Sequence, residues 1–229
     1  MTGSLPVANR AAPKSRTAWR LLILMLAIAT WLACFVALDR CGTWTIFAFA
    51  GGTLAALACG LDPALPSLLR PSGSKLVVGL VIGALMVVLT HAVFAPLAVF
   101  QPGIRAATLK LYDLLNMVGL SPLVRAALVV VIATSEEVLF RGVLADSGLD
   151  GLENWHRRLA SWPRLSRVAA LAACYAAATL TLGNPLLVAC AFLCGVAWGG
   201  LRVATRSLVP SVVAHIAWDL GVLLIWPLA

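Results

Sequence analysis

Charge is what this sequence has least of. Only 11% of its 229 residues are Asp, Glu, Lys or Arg, and nine are acidic, whereas a soluble domain carries about a quarter charged residues. That scarcity excludes a water-facing globule. Cysteine occurs six times without a Cys-x-x-Cys pair, which removes the short-spaced zinc and redox motifs. Cys34, Cys41, Cys59, Cys174, Cys190 and Cys194 fall mostly inside apolar runs and read as small buried side chains. Histidine occurs three times. No internal repeat of 20–50 residues is visible, and no pair of matched broken helices, which counts against a repeat-built transporter. The net charge of +8 does not point to nucleic acid, because the basic residues are spread over loops and form no basic helix face.

What the chain has in abundance is apolar length. Hydrophobic residues make up 62% of it, arranged in runs long enough to cross a bilayer. The pattern predicts an all-α polytopic bundle of about seven spans, near 19–38, 44–61, 75–100, 123–144, 168–182, 186–201 and 208–228, with a short amphipathic interfacial helix within 101–121. Residues 1–18 read as a disordered cytoplasmic tail. Residues 62–74, with three prolines, read as a loop, and 146–167 is the most polar internal stretch. Residues 19–121 are expected to form the N-terminal transmembrane helices and 122–229 the remaining helical core, in one continuous bundle. The first span is expected to be an uncleaved helix rather than a signal peptide.

The Lys and Arg residues settle an expected orientation. With the N-terminus inside, twelve fall on inner segments and four (Arg40, Arg105, Lys110, Arg125) on outer ones. This bias predicts an integral membrane protein with its N-terminus cytoplasmic and its C-terminus outside. Trp19, Trp44, Trp162 and Trp226 stand near span ends, as interfacial anchors do.

Against that apolar background the fourth span carries Glu136-Glu137-x-x-x-Arg141. Each such group costs on the order of 3 kcal/mol at a membrane helix centre, so their presence asks for a use. Glu137 and Arg141 are four apart, acid first, and so are expected to pair. Glu136 is rotated about 100° away and is expected to face another neighbour. The last span carries His215 and Asp219 on one helix face. At 1.5 Å per residue, Glu136 and His215 lie ~14 and ~12 Å from the inner ends of their helices. The two are therefore expected at one depth, in a site that opens inward.

Glu-Glu-x-x-x-Arg followed by His-x-x-x-Asp resembles the CAAX-protease and bacteriocin-processing family of type II CAAX prenyl endopeptidase-like intramembrane proteases. The resemblance extends from Val131 to Ile225, including Gly183-Asn184-Pro185 and Thr205-Arg206-Ser207-Leu208. It implies a membrane endopeptidase in which Glu136 activates water, Glu137 and Arg141 complete the motif, and His215 binds metal or the oxyanion. Asp219 stands where the family has Asn or Asp. The family's intervening Phe-x-x-x-His corresponds here to Tyr175-Ala176-Ala177-Ala178-Thr179, so the histidine is missing and Thr179 replaces it. His91 in the third span is a conceivable spatial substitute.

Catalytic zinc generally takes three protein ligands; with one histidine left, a metal-free route is preferred and no cofactor is expected. Zinc on His215 and Glu136 is the alternative. Oxyanion stabilisation is expected from His215, with the Thr179 hydroxyl assisting. The leading expectation is an intramembrane endopeptidase acting on a membrane-associated protein or peptide. The alternatives are a catalytically inactive relative serving as an immunity or scaffolding protein, and a proton-coupled transporter. Oligomeric state is not legible.

Overall fold

The computed structural model describes residues 14–41, 44–115, 120–143 and 164–228. Among them only helices and their connections occur. Helix α1 spans Lys14–Cys41, α2 Thr45–Leu61, α3 Ala64–Leu68, α4 Gly73–Phe100 and α5 Pro102–Leu115. Helix α6, Pro122–Glu136, runs straight into wider π-helical turns over Glu137–Val143. Helix α7 spans Arg164–Ala177, α8 Pro185–Thr205 and α9 Val209–Leu220, the last continuing into π-helical turns over Gly221–Ile225.

Local sequence explains where these helices begin. Ser72 and Ser121 accept the backbone N–H groups of Lys75 and Val124. Asn184 Oδ1 accepts those of Leu186 at 3.1 Å and Leu187 at 3.3 Å. Pro122 and Pro185 sit in first turns, where a missing N–H costs nothing. Gly183, at φ +61°, takes the left-handed turn between α7 and α8.

Three expectations need correction. Residues 14–18 are helical rather than tail. The stretch 62–74 contains α3, which starts where Asp62 Oδ1 accepts the Ala64 N–H at 3.0 Å. The helix expected to reach residue 182 ends at Ala177, followed by a 3₁₀ turn over Leu180–Leu182. The tail before residue 14 and most of the polar stretch 146–167, with His156, lie outside the described residues.

Helices α4 and α8 are long and apolar enough to cross a membrane. Shorter apolar helical stretches cover 25–38, Thr45–Leu61, 168–182 and Val209–Ile225. The α6 segment with its π-helical continuation instead carries Arg125, Glu136, Glu137 and Arg141. Leu80, Val81, Leu85 and Val88 on α4 are all exposed, an apolar outer face suited to lipid.

The bundle has two distinguishable ends. At one, the Leu208 N–H and Ser207 hydroxyl both donate to the Leu68 carbonyl, each at 3.0 Å. At the other, Asn184 Nδ2 donates to the Ala107 carbonyl at 3.1 Å, and the Tyr112 hydroxyl donates to the Val222 carbonyl. Arg70, Lys75, Arg164, Arg202 and Arg206 belong to the first end; α5 caps the second.

Small residues set the helix spacing between them. Helix α4 lies along α9 through Gly79 and Gly83, and a Cβ at Gly83 would stand 2.7 Å from Ala217 Cβ and 2.9 Å from the Ala214 carbonyl oxygen. Gly195 of α8 meets Ala172 of α7 as closely. The buried core between helices is aromatic: Trp31, Phe47, Phe140 and Trp198 are each about 1% exposed.

Candidate active site

Glu136 and Glu137 stand at the junction where α6 widens, and their surroundings differ completely. Glu137 is fully buried and its Oε1 lies 3.1 Å from Arg141 NH1. The same oxygen lies 2.9 Å from His215 Nδ1. Arg141 in turn lies over the Tyr175 ring at 4.4 Å and the Trp198 ring at 5.3 Å, cation–π contacts that offset part of its burial. The expected Glu137–Arg141 pair is therefore present, and its further use is to hold an imidazole.

Glu136 makes no pair with Arg141, as the 100° offset predicts. Its Oε1 accepts the Trp31 indole N–H at 2.8 Å and its Oε2 accepts the Tyr175 hydroxyl at 2.6 Å. Nε2 of His215 is 3.6 Å from Glu136 Oε2 and 3.5 Å from Asp219 Oδ2. The two acids and the histidine thus meet at one depth, from helices more than seventy residues apart in sequence. Trp198 stacks flat on the His215 ring, centroids 3.5 Å apart and planes 18° from parallel, which fixes the ring's orientation.

The group lines a cavity of about 180 Å³. Glu136, His215, Asp219 and Thr179 stand in a wall otherwise made of apolar and aromatic side chains. Trp44, Thr108, Tyr112, Leu182, Leu186 and Leu228 carry that wall toward the α5 end. No lining residue comes from the α3 end. With the Lys- and Arg-rich α3 end taken as cytoplasmic, the cavity extends away from the cytoplasm. The inward opening expected from depth therefore depends on which end faces the cytoplasm, because depth alone does not show which half the helices leave empty.

Two other expected contributions also look different in place. Thr179 is buried beside the group, but its hydroxyl donates to the Ala176 carbonyl at 2.7 Å. It is left as an acceptor, not an oxyanion donor. His91 does not substitute for the missing histidine. Its ring nitrogens lie 2.9 Å from the Val87 and Trp226 carbonyl oxygens, and its ring stacks on Trp226 at 3.8 Å.

The donor set, one imidazole with carboxylates, is a poor one for a tightly held catalytic zinc ion. Such an ion takes three protein ligands. Here His215 is the one imidazole of the group, and the stretch that resembles the family's Phe-x-x-x-His ends in Thr179 instead of a histidine. Among the described residues no three His, Cys, Asp or Glu side chains are grouped to hold a metal.

Trp31, Tyr175 and Trp198 escaped sequence reasoning. A signal existed for the tryptophans: Trp31 and Trp198 fall in the middle of apolar runs, whereas lipid-facing tryptophans collect at span ends. Tyr175 stood in plain view in the stretch read for its absent histidine.

Residues 118–221 match the family model described as Rce1-like, type II CAAX prenyl endopeptidase Rce1-like. No curated protein and no solved structure matches the chain. The matched segment contains Glu136, Glu137, Arg141, Tyr175, Thr179, His215 and Asp219, every residue of the group except the Trp31 of α1. Over that segment, a little under half of its length, the chain is similar to the Rce1-like type II CAAX prenyl endopeptidase family.

Proposed function

We propose that the protein is an intramembrane endopeptidase that hydrolyses a peptide bond in a membrane-associated protein or peptide, with Glu136 activating the water. One observation carries this reading. Of two adjacent buried acids, Glu137 is bound to a guanidinium, while Glu136 accepts hydrogen bonds from the neutral Trp31 and Tyr175 and faces a cavity beside an imidazole. A carboxylate so placed is oriented but keeps lone-pair capacity to take a proton.

The chemistry follows from that arrangement. Glu136 removes a proton from water as the water oxygen attacks the peptide carbonyl carbon. The carbonyl π pair moves onto oxygen, toward His215 Nε2, which donates there when it carries its second proton. Glu137, fixed by Arg141, holds Nδ1 and so the ring. Asp219 and the Thr179 oxygen supply acceptors for the attacking water. Glu136 then passes its proton to the amide nitrogen as the C–N bond breaks, and the starting state returns without a metal. Residues 122–229 form the catalytic core in this reading, completed by α1 through Trp31, and the α3 end faces the cytoplasm of a bacterial cell.

The test is a comparison of membrane-protein termini in cells carrying the wild type or Glu136→Gln. The variant should insert and accumulate normally while the termini made by the wild type disappear. Undiminished processing by Glu136→Gln would refute the assignment of the base. Chelator-treated membranes should keep wild-type processing; its loss, with stoichiometric zinc in the purified protein, would overturn the metal-free route.

A further inference from the structure

His215 does not by itself supply the donor that a tetrahedral oxyanion needs. Its Nδ1 is 2.9 Å from Glu137 Oε1, and Glu137, bound to Arg141 at 3.1 Å, is an acceptor. Nδ1 therefore carries a hydrogen, and in the neutral ring Nε2 is left as a lone pair. Thr179 spends its proton on the Ala176 carbonyl. The Tyr175 hydroxyl is the donor that needs no second protonation. It is buried, reaches Glu136 Oε2 at 2.6 Å, and belongs to a side chain lining the cavity.

We infer that Tyr175 is a catalytic residue of this chain: its hydroxyl follows the negative charge from Glu136 to the substrate's oxyanion. The inference rests on the endopeptidase reading above. In the resting site the O–H points at the carboxylate. When Glu136 Oε2 takes the water proton, that oxygen becomes a donor and ceases to hold the tyrosine. The carbonyl oxygen gains the electron pair at the same moment, within reach of the same hydroxyl. When the intermediate collapses, the pair returns to form C=O, Glu136 gives its proton to the leaving nitrogen, and the hydroxyl turns back to the carboxylate. Tyr175 loses no proton over the cycle. Its ring is kept in place throughout by the edge of Phe140, centroids 5.2 Å apart, and by Arg141 above it.

The experiment uses the full-length protein in detergent micelles with a short internally quenched peptide of Leu, Val and Ala, matched to the apolar cavity wall. Glu136→Gln should be inert. Tyr175→Phe should lower kcat about 100-fold with little change in KM, the loss typical of one oxyanion donor. In a Glu136→Gln background no base is left to be positioned. There Tyr175→Phe should still weaken binding of the matching peptide phosphinate, a tetrahedral analogue, by about tenfold or more. Wild-type cleavage no faster than that of Glu136→Gln sinks the endopeptidase reading and this inference together. An inert Glu136→Gln with Tyr175→Phe within threefold of wild type sinks the inference alone, as does phosphinate binding unaffected by the loss of the hydroxyl.

Discussion

Substituting Gln for each of the two adjacent acids should produce opposite phenotypes. Glu137→Gln removes the counter-charge of Arg141, whose side chain is buried at the same depth. At 3.1 Å and an effective dielectric constant of ~20, the lost attraction is roughly 5 kcal/mol as an upper bound. The amide oxygen of Gln still accepts from Arg141 or His215, and the rings of Tyr175 and Trp198 keep their cation–π contacts, which offset part of it. A net loss of about 3 kcal/mol is expected, in line with stranding one partner of a buried pair. By the scaling of domains this size, that lowers Tm by ~6–12 °C. Glu136→Gln strands no charge. It turns one accepting oxygen into a donor facing Trp31 or Tyr175, a cost of about 1–2 kcal/mol, while abolishing turnover. The assay is thermal unfolding in one detergent, followed by tryptophan fluorescence and run beside the peptide-cleavage measurement. A Glu137→Gln variant that melts within 2 °C of wild type, or above Glu136→Gln, would show that the division of labour between the acids is wrong.

The glycine contact beneath α9 gives a second test. Gly83→Leu should push α4 off the helix that carries His215, at a cost of about 1–3 kcal/mol, and lower Tm and activity together; Leu85→Ile on the exposed face of α4 should leave both unaltered. An unshifted melt for Gly83→Leu would mean the two helices are not in contact there. The direction of the cavity is testable by labelling. A cysteine at Leu186 near the α5 end should react in intact cells or spheroplasts with a membrane-impermeant maleimide added from outside. Reaction only after the cytoplasmic face is opened would reverse the orientation drawn from the Lys and Arg residues.

Much of the site was legible because charge in an apolar run is expensive, and expensive groups have few ways to be arranged. Helical spacing paired Glu137 with Arg141 and set Glu136 apart, and the depth count brought His215 to the same level; the 3.6 Å between Glu136 Oε2 and His215 Nε2 agrees with both. What could not be read were partners supplied by other helices. Trp31 is 105 residues from Glu136, and no periodicity within one helix encodes which face of α1 meets α6. Thr179 misled for a different reason: spacing places a residue near the site, whereas its hydroxyl also has its own backbone to bond. The five-residue helix α3 lay hidden among prolines that read as a loop, although Pro63 and Asp62 together form a start signal.

A lone buried carboxylate must be neutralised or paired, and one paired with arginine has given up the reactivity a base requires. Placing a second acid one residue on solves this, because a rotation of about 100° gives each its own surroundings from a single helix. Glu137 takes the arginine and uses the resulting fixed charge to hold an imidazole. Glu136 needs only neutral donors, which orient it without cancelling it. The same reasoning explains why the aromatic wall matters beyond its bulk: Trp31 and Tyr175 each bring one polar hydrogen on an apolar ring, so the carboxylate is hydrogen-bonded in a cavity that otherwise stays apolar. A single change at either ring, Trp31→Phe or Tyr175→Phe, therefore removes a hydrogen bond without admitting a compensating charge.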